Sequence, residues 1–269
     1  MGNTPPHFAR KRFGQHFLHD RHVIQRIVGA LQAQPGETLV EIGPGLGALT
    51  HDLLRSVGTL DVIELDRDLI APLEHACAGL GTLRIHNQDA LRFDFCSLMQ
   101  GDTRLRIVGN LPYNISTPLL FHLLAQAHCI HDMHFMLQHE VVERMIAAPG
   151  GRTYGRLSVM IQYRCSVQKL FHVGPGAFTP VPKVDSAVIR MVPHATPPVR
   201  VTDEAVFEQV VRVAFGQRRK TLRNTLKELL TADEIQALGI DPAIRAEQLS
   251  LHDFSILSNA VAGKQSESR

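Results

Sequence analysis

The stretch Val40-Glu41-Ile42-Gly43-Pro44-Gly45-Leu46-Gly47 decides the fold. The apolar run Thr38–Ile42 reads as a strand and Leu46–Ser56 as a helix, joined by the turn Gly43-Pro44-Gly45, with Gly47 just beyond it. Glycines let such a turn close and let a ligand approach the backbone, and the helix N-terminus beyond adds partial positive charge. Gly43, Gly45 and Ala48 also satisfy the G-x-G-x-x-A form of a dinucleotide turn, a pattern too short to name a ligand by itself. No Gly-Lys-Ser/Thr closes the loop, which excludes a Walker A phosphate site.

Outward from this turn the same alternation continues. Strands are predicted at Thr59–Leu65, Thr82–His86, Leu105–Val108 and Met133–Leu137, with helices at Asp68–Ala78, Pro118–Ala127 and His139–Ile146. Regular βα alternation implies a mostly parallel sheet covered by helices on both faces. A helix at Arg156–Arg164 precedes two more strands, Val167–Val173 and Ser186–Val192, close enough in sequence to form an antiparallel edge. Upstream, Asp20 is placed to cap a helix whose apolar face carries Val23, Ile24, Ile27, Val28 and Leu31. The stiff run Pro193–Pro198 marks a domain boundary, giving a first domain of 1–195 and a second of 196–269. Helical patterns fill the second domain at Glu204–Phe215, Arg219–Leu230, Ala232–Leu238, Ala243–Gln248 and Asp253–Val261.

Composition adds bounds rather than identity. The chain has 269 residues, 20% charged and 44% hydrophobic, enough for a full core plus a smaller second unit. A net charge of +2 does not by itself demand a polyanionic partner. Its distribution is more telling. Arg10, Lys11 and Arg12 sit beside Phe13 and Phe17, and six cations between Arg212 and Lys227 (Arg218, Arg219, Lys220 and Arg223 among them) are interrupted by no acid. Both runs fit nucleic-acid phosphates, and both also fit solvated surface. The start of the chain lacks a signal-type apolar stretch and no run approaches a membrane span, so no membrane partner is expected. Cys77, Cys96, Cys129 and Cys165 are widely spaced without a C-x-x-C pair, which predicts reduced thiols in a cytoplasmic protein. His128, Cys129, His131, His134 and His139 invite a metal reading. A strand through Met133–Leu137 would send neighbouring side chains to opposite faces, so no metal site is expected.

Three carboxylates stand at or beside successive strand ends. Glu41 precedes the glycine turn, where a dinucleotide-binding strand stays apolar; a cationic ligand group would welcome it there. Glu64 follows Gly43 by 21 residues, a spacing suited to ribose hydroxyls. Asp89, with Ala90 beside it, can accept from an adenine amino group. A ribose, an adenine and a cationic tail describe S-adenosylmethionine. Beyond the next strand comes Gly109-Asn110-Leu111-Pro112-Tyr113. Pro112 fixes its own φ and pushes Leu111 to an extended shape. The Asn110 side chain and a backbone carbonyl, of Leu111 or Pro112, could then accept both hydrogens of an exocyclic amine while Tyr113 offers a ring face. An ordinary strand-to-helix turn with Asn as cap remains the alternative for this motif in isolation.

These segments, with Arg10–Gln15, Val62–Asp66, Tyr154–Val159, Ala177–Pro180, Pro182–Ser186 and Arg218–Leu226, resemble the ribosomal RNA adenine N6-dimethyltransferase family, on its bacterial small-subunit branch, over nearly the whole chain from about Arg10. The resemblance implies a Rossmann-like class I methyltransferase sheet, mostly parallel with an antiparallel edge, and a small all-α C-terminal domain that binds RNA. It implies that Leu18, Gly43, Glu64, Asp89 and Asn110 contact the methyl donor, with Glu41, Gly45 and Ala90 on the same side. His16 stands where the family commonly has Asn, which leaves its donor contact open. Asn110, Leu111, Pro112, Tyr113 and Phe178 would handle the acceptor, the two rings stacking on a flipped base. The implied substrate is a pair of adjacent adenosines in the 3′-terminal hairpin of small-subunit rRNA, presented by a pre-assembled 30S particle late in its biogenesis to a monomeric enzyme. A large-subunit rRNA methylase and a non-enzymatic RNA-binding assembly factor are the competing readings.

Overall fold

A computed structural model describes residues 16–267. Its elements run β1 (Phe17–Leu18), α1 (Arg21–Leu31), β2 (Leu39–Ile42), α2 (Thr50–Val57), β3 (Thr59–Ile63), α3 (Ile70–Cys77), β4 (Thr82–His86), β5 (Leu105–Asn110), α4 (Ser116–Ala125), β6 (Ile130–Gln138) and α5 (His139–Met145). There follow α6 (Arg156–Arg164), β7 (Cys165–Val173), β8 (Phe178–Thr179), β9 (Ser186–Pro193), α7 (Glu204–Ala214), α8 (Leu222–Thr225), α9 (Ala232–Ala237) and α10 (Leu251–Glu267). Arg10, Lys11 and Arg12 lie outside the described residues.

Seven strands form one sheet in the order β4-β3-β2-β5-β6-β9-β7. The pairs from β4 through to β6 are parallel, and β9 runs antiparallel to β6. Strand order reverses between β2 and β5, and a ligand crevice opens at the carboxyl ends of strands at such a point. Gly109 belongs to this junction, because a Cβ there would meet the Ile42 carbonyl at 2.6 Å.

Helix α2 explains its own existence. Thr50, Leu53, Leu54 and Val57 fall on one buried face, and Gly58, at φ 78°, ends the helix while its N–H reaches the Leu54 carbonyl. Each fully buried leucine here contributes about 2 kcal/mol. The helix begins four residues later than the apolar pattern predicts, because Gly45 and Gly47 hold φ of 59° and 87°, outside the helical region. Asp20 caps α1 by accepting from the His22 and Val23 amides at 2.9 and 3.2 Å.

The chain divides into two compact units, one of residues up to 142 plus 168–193, the other of 143–167 plus 194 onward. The boundary read from sequence at 195–196 lies beside the later crossing. The segment 143–167, which a linear reading leaves with the sheet, goes with the second unit: Tyr163 packs 4.7 Å from Phe207, and Arg164 pairs with Glu204 at 2.6 Å. In this unit the helix expected at Arg219–Leu230 shrinks to Leu222–Thr225, since Thr221 is tied in a bridge to Arg245 and tight turns follow Leu226.

One sequence expectation needs correction. Cys96 and Cys129 form a disulfide with Cα atoms 5.4 Å apart, so these thiols are not free, whereas Cys77 and Cys165 are. The pair joins a turn after β4 to a turn before β6, brought together by Gln126, whose Oε1 accepts from the Phe95 amide at 2.7 Å and the Cys96 amide at 3.4 Å. Linear spacing cannot reveal that approach. Phe178 is 1% exposed, in the core cluster that also holds Leu18. The pairing of β8 with β1 sets its direction, and its neighbour Thr179 is the residue exposed. Among the described residues no helix is long and apolar enough to cross a membrane.

Candidate active site

A cavity of about 660 Å³ opens where the strand order reverses. Its floor is the glycine turn after β2, where Gly43 and Gly45 hold φ of 67° and 59°. One wall carries the carboxylates. Glu64, 7% exposed, accepts from the Gly45 amide with Oε2 at 3.3 Å and from the Asp66 amide with Oε1 at 2.8 Å. Burial raises its pKa against the pull of those two amides. Asp89, half-buried, is oriented by the Leu91 amide at 2.9 Å.

Glu41 is the unusual member. It is 2% exposed, and the Thr50 hydroxyl donates to its Oε2 at 2.7 Å. Burial drives its pKa up to about 8; the Thr50 bond opposes this and the nearby Glu64 charge adds to it. A carboxyl held in this way keeps its proton at neutral pH.

The opposite wall follows β5. Asn110 donates from Nδ2 to the His16 carbonyl at 3.0 Å. A carbonyl can only accept, so this bond fixes the amide and leaves Oδ1 as an acceptor. The Pro112 carbonyl already accepts from the Ile115 amide at 3.2 Å. Tyr113 meets the Ser186 hydroxyl at 2.7 Å, and burial raises the phenol pKa, so it stays protonated at neutral pH. His16 stacks on the Tyr113 ring, centroids 5.5 Å apart.

The structure therefore brings together, around one cavity, every residue named from sequence on the donor side (His16, Leu18, Glu41, Gly43, Gly45, Glu64, Asp89, Ala90) and the run Asn110–Tyr113 on the other. Phe178 does not line it. Residues that sequence reasoning did not single out line it too. Leu46 and Leu65 are 44% and 49% exposed there, apolar side chains that a flat ligand would cover. His51 contributes a buried Nε2 with no hydrogen-bond partner among the described residues. Ser186, 73 residues from Tyr113, holds its hydroxyl; only the Val184-Asp185-Ser186 motif hinted that it mattered.

The basic run belongs to the second unit. Arg218, Arg219, Lys220 and Arg223 are exposed, but Arg218 is engaged: its Nη2 donates to the Arg152 carbonyl at 2.6 Å and the Tyr154 carbonyl at 3.2 Å. Among the described residues one Cys/His group could gather ligand atoms, Cys96, His128 and Cys129, within 4.8 Å of one another. Its two sulfurs are bonded to each other. His131, His134 and His139 do not join it.

Residues 7–262 match a model of the family described as ribosomal RNA adenine dimethylase. A ribosomal RNA small subunit methyltransferase A of Pseudomonas putida is 58% identical over 265 residues, covering 98% of this chain and 99% of its own. The same-named protein of Pseudomonas aeruginosa is 59% identical, covering 97% and 98%. Among solved structures, a dimethyladenosine transferase from Plasmodium falciparum aligns with a TM-score of 0.77 at 25% identity, over 90% of this chain and 96% of that one. The 23S rRNA methyltransferase ErmE shares the fold, with a TM-score of 0.72 at 23% identity over 91% and 99%.

Proposed function

The chain belongs to the ribosomal RNA adenine dimethylase family, and from that premise we propose that it transfers two methyl groups from S-adenosylmethionine to N6 of each of two adjacent adenosines in the 3′-terminal hairpin of 16S rRNA. It acts in the cytoplasm, as a monomer, on a pre-assembled 30S particle late in small-subunit biogenesis. The observation that carries the reading is the fixed Asn110 amide, its Oδ1 left as an acceptor, on a cavity that also holds Glu41, Glu64 and Asp89.

The donor set fits S-adenosylmethionine. Glu64 would accept from ribose hydroxyls, Asp89 from the adenine amine, with Ala90, Leu18 and the Gly43–Gly45 backbone packing around them, and Leu65 and Leu46 against the flat ring. Glu41 answers the cationic tail. Bound there, the donor supplies an electrophilic methyl group.

The chain's own residues supply positioning. Adenine N6 is a poor nucleophile because its lone pair is shared with the ring. Asn110 Oδ1 and a backbone carbonyl would each accept one N6 hydrogen, favouring a pyramidal nitrogen with its lone pair freed. Because the Pro112 carbonyl is already engaged, that of Leu111 is the favoured partner. The Tyr113 face would stabilise the developing positive charge. Positioning of this kind supplies much of an enzyme's acceleration. No strong base is needed, since the amine becomes acidic only after transfer. Arg219, Lys220 and Arg223, with Arg10, Lys11 and Arg12, are assigned to rRNA phosphates; Arg218 contributes less, being spent on backbone carbonyls. We assign the methyltransferase site to the first unit and RNA binding to the helices of the second.

Asn110→Ala is expected to abolish tritiated-methyl transfer to undermethylated small subunits while the protein still folds and binds the donor. Near-normal methylation would refute the role. Mapping the labelled adenosines in wild-type reactions separates this reading from a large-subunit methylase, and absence of donor binding would favour a non-enzymatic assembly factor.

A further inference from the structure

The resemblance leaves the donor contact of His16 open, and its ring stacks on Tyr113, on the acceptor side. It lies 5.5 Å from the Tyr113 ring, the planes inclined by 28°, in a stacked arrangement. Its Nδ1 is 2.7 Å from the Pro180 carbonyl, and since a carbonyl can only accept, Nδ1 carries the proton. Its backbone carbonyl receives the Asn110 amide at 3.0 Å. Tyr113 in turn is held by Ser186 at 2.7 Å, so the phenol cannot swing away without breaking that bond. All three of His16, Asn110 and Tyr113 line the same cavity.

A base that presents its amino group to Asn110 must lie beside residue 16. It cannot slip between the two rings as they stand. Three stacked rings need about 7 Å between the outer two, twice an ordinary carbon contact, and 5.5 Å separates them. The imidazole therefore occupies one face of the Tyr113 ring, and an adenine stacking on that face would have to displace it.

We propose that His16 is a displaceable cap on the acceptor pocket: its imidazole lies against the Tyr113 ring in the free protein and is displaced when adenine enters. The inference rests on the adenine reading of this site.

Two measurements on the full-length protein test it. Steady-state methylation of undermethylated small subunits is compared for wild type, His16→Ala, His16→Asn and His16→Phe, with donor affinity measured separately by calorimetry. Removing the ring is expected to lower the subunit KM three- to tenfold in His16→Ala and His16→Asn. His16→Phe, which keeps a ring, should retain the wild-type KM or raise it, and donor Kd should stay within twofold throughout. A weakened donor Kd with an unchanged subunit KM would return His16 to the donor, and no change in either would leave it without this role; both outcomes overturn the proposal. In the second measurement, labelled histidine is followed by NMR. The His16 ring signal should sit upfield, lose that displacement in Tyr113→Leu, and lose it in wild type as adenosine is added to millimolar concentration. A signal that does not move, or was never displaced, also overturns it. If the wild-type protein fails to methylate small subunits, the proposed function fails on its own account, and the NMR titration still decides the place of His16.

Discussion

Replacing Glu41 by Gln isolates one buried charge. The side chain is 2% exposed, and its pKa of about 8 stands against 4.5 for a free glutamate. The folded protein thus keeps a proton that the unfolded chain gives up as pH rises past 4.5. By linkage, stability is unaffected below that value, falls as pH climbs through the window, and levels off above about 8. At about 1.4 kcal/mol per pH unit, the loss is about 3 kcal/mol at pH 7 and about 5 kcal/mol once ionisation is complete. Gln can still accept the Thr50 hydroxyl bond and never ionises. Denaturant melts at pH 5.5, 7 and 8.5 should therefore show wild type weakening with pH and Glu41→Gln holding level, overtaking it at the alkaline end. The same proton appears in binding. A cationic donor favours the ionised carboxyl, so wild-type affinity for S-adenosylmethionine should rise between pH 6 and 8 by up to about tenfold per unit, with proton release in calorimetry run in two buffers. The Gln variant should bind more weakly and show neither effect. Parallel pH slopes for the two proteins, in stability and in binding, would refute the claim that Glu41 is held neutral until the ligand arrives.

Two further perturbations bear on the sheet that carries the site. His134 on β6 is 1% exposed with neither ring nitrogen partnered among the described residues, and burial lowers its pKa to about 4. A histidine kept neutral gives up stability as pH falls from 6.5 toward 4, a loss of about 3 kcal/mol; His134→Leu should remove that acid limb, and an unchanged acid midpoint in melts would count against it. The Cys96–Cys129 link spans 33 residues, and closing such a loop restricts the unfolded chain by about 4 kcal/mol at most. Cys96→Ser should lower the urea midpoint and abolish its sensitivity to dithiothreitol, while equal midpoints for oxidised and reduced wild type would remove the disulfide from the ledger of stability.

What the sequence made legible was whatever a short window contains. The bounds of α6 are those of its apolar pattern, and β2 lies within the run that opened the reading. The carboxylate wall was equally local, because in a parallel sheet each βα junction delivers its last residues to the same edge. Glu41, Glu64 and Asp89 could be assigned to one crevice without knowing any distance. Pairing across the chain was not legible. Strands of two residues, β1 and β8, carry no periodic signal, yet their register of Phe17 with Thr179 and Leu18 with Phe178 decides that Phe178 faces the core. The Tyr113–Ser186 contact and the disulfide share that origin: each joins side chains whose approach is a result of folding.

The strand order accounts for why donor and acceptor sides meet at all. From β2 the chain builds outward through β3 to β4, and each step deposits a carboxylate on the same flank. The next strand, β5, does not extend that series. It returns to pair with β2 on its free side, matching Val40 with Ile107 and Glu41 with Val108. Asn110 is therefore carried to the far lip of the glycine turn, and the approach is close enough that only glycine fits at 109. Had β5 added beyond β4, Asn110 would stand three strand spacings, about 14 Å, from β2, too far for a methyl group to pass between partners lodged at the two ends. The crossover thus fixes the reach of the reaction, and the β1 segment completes it, since the Asn110 amide takes its orientation from the carbonyl of His16, 94 residues earlier in the chain.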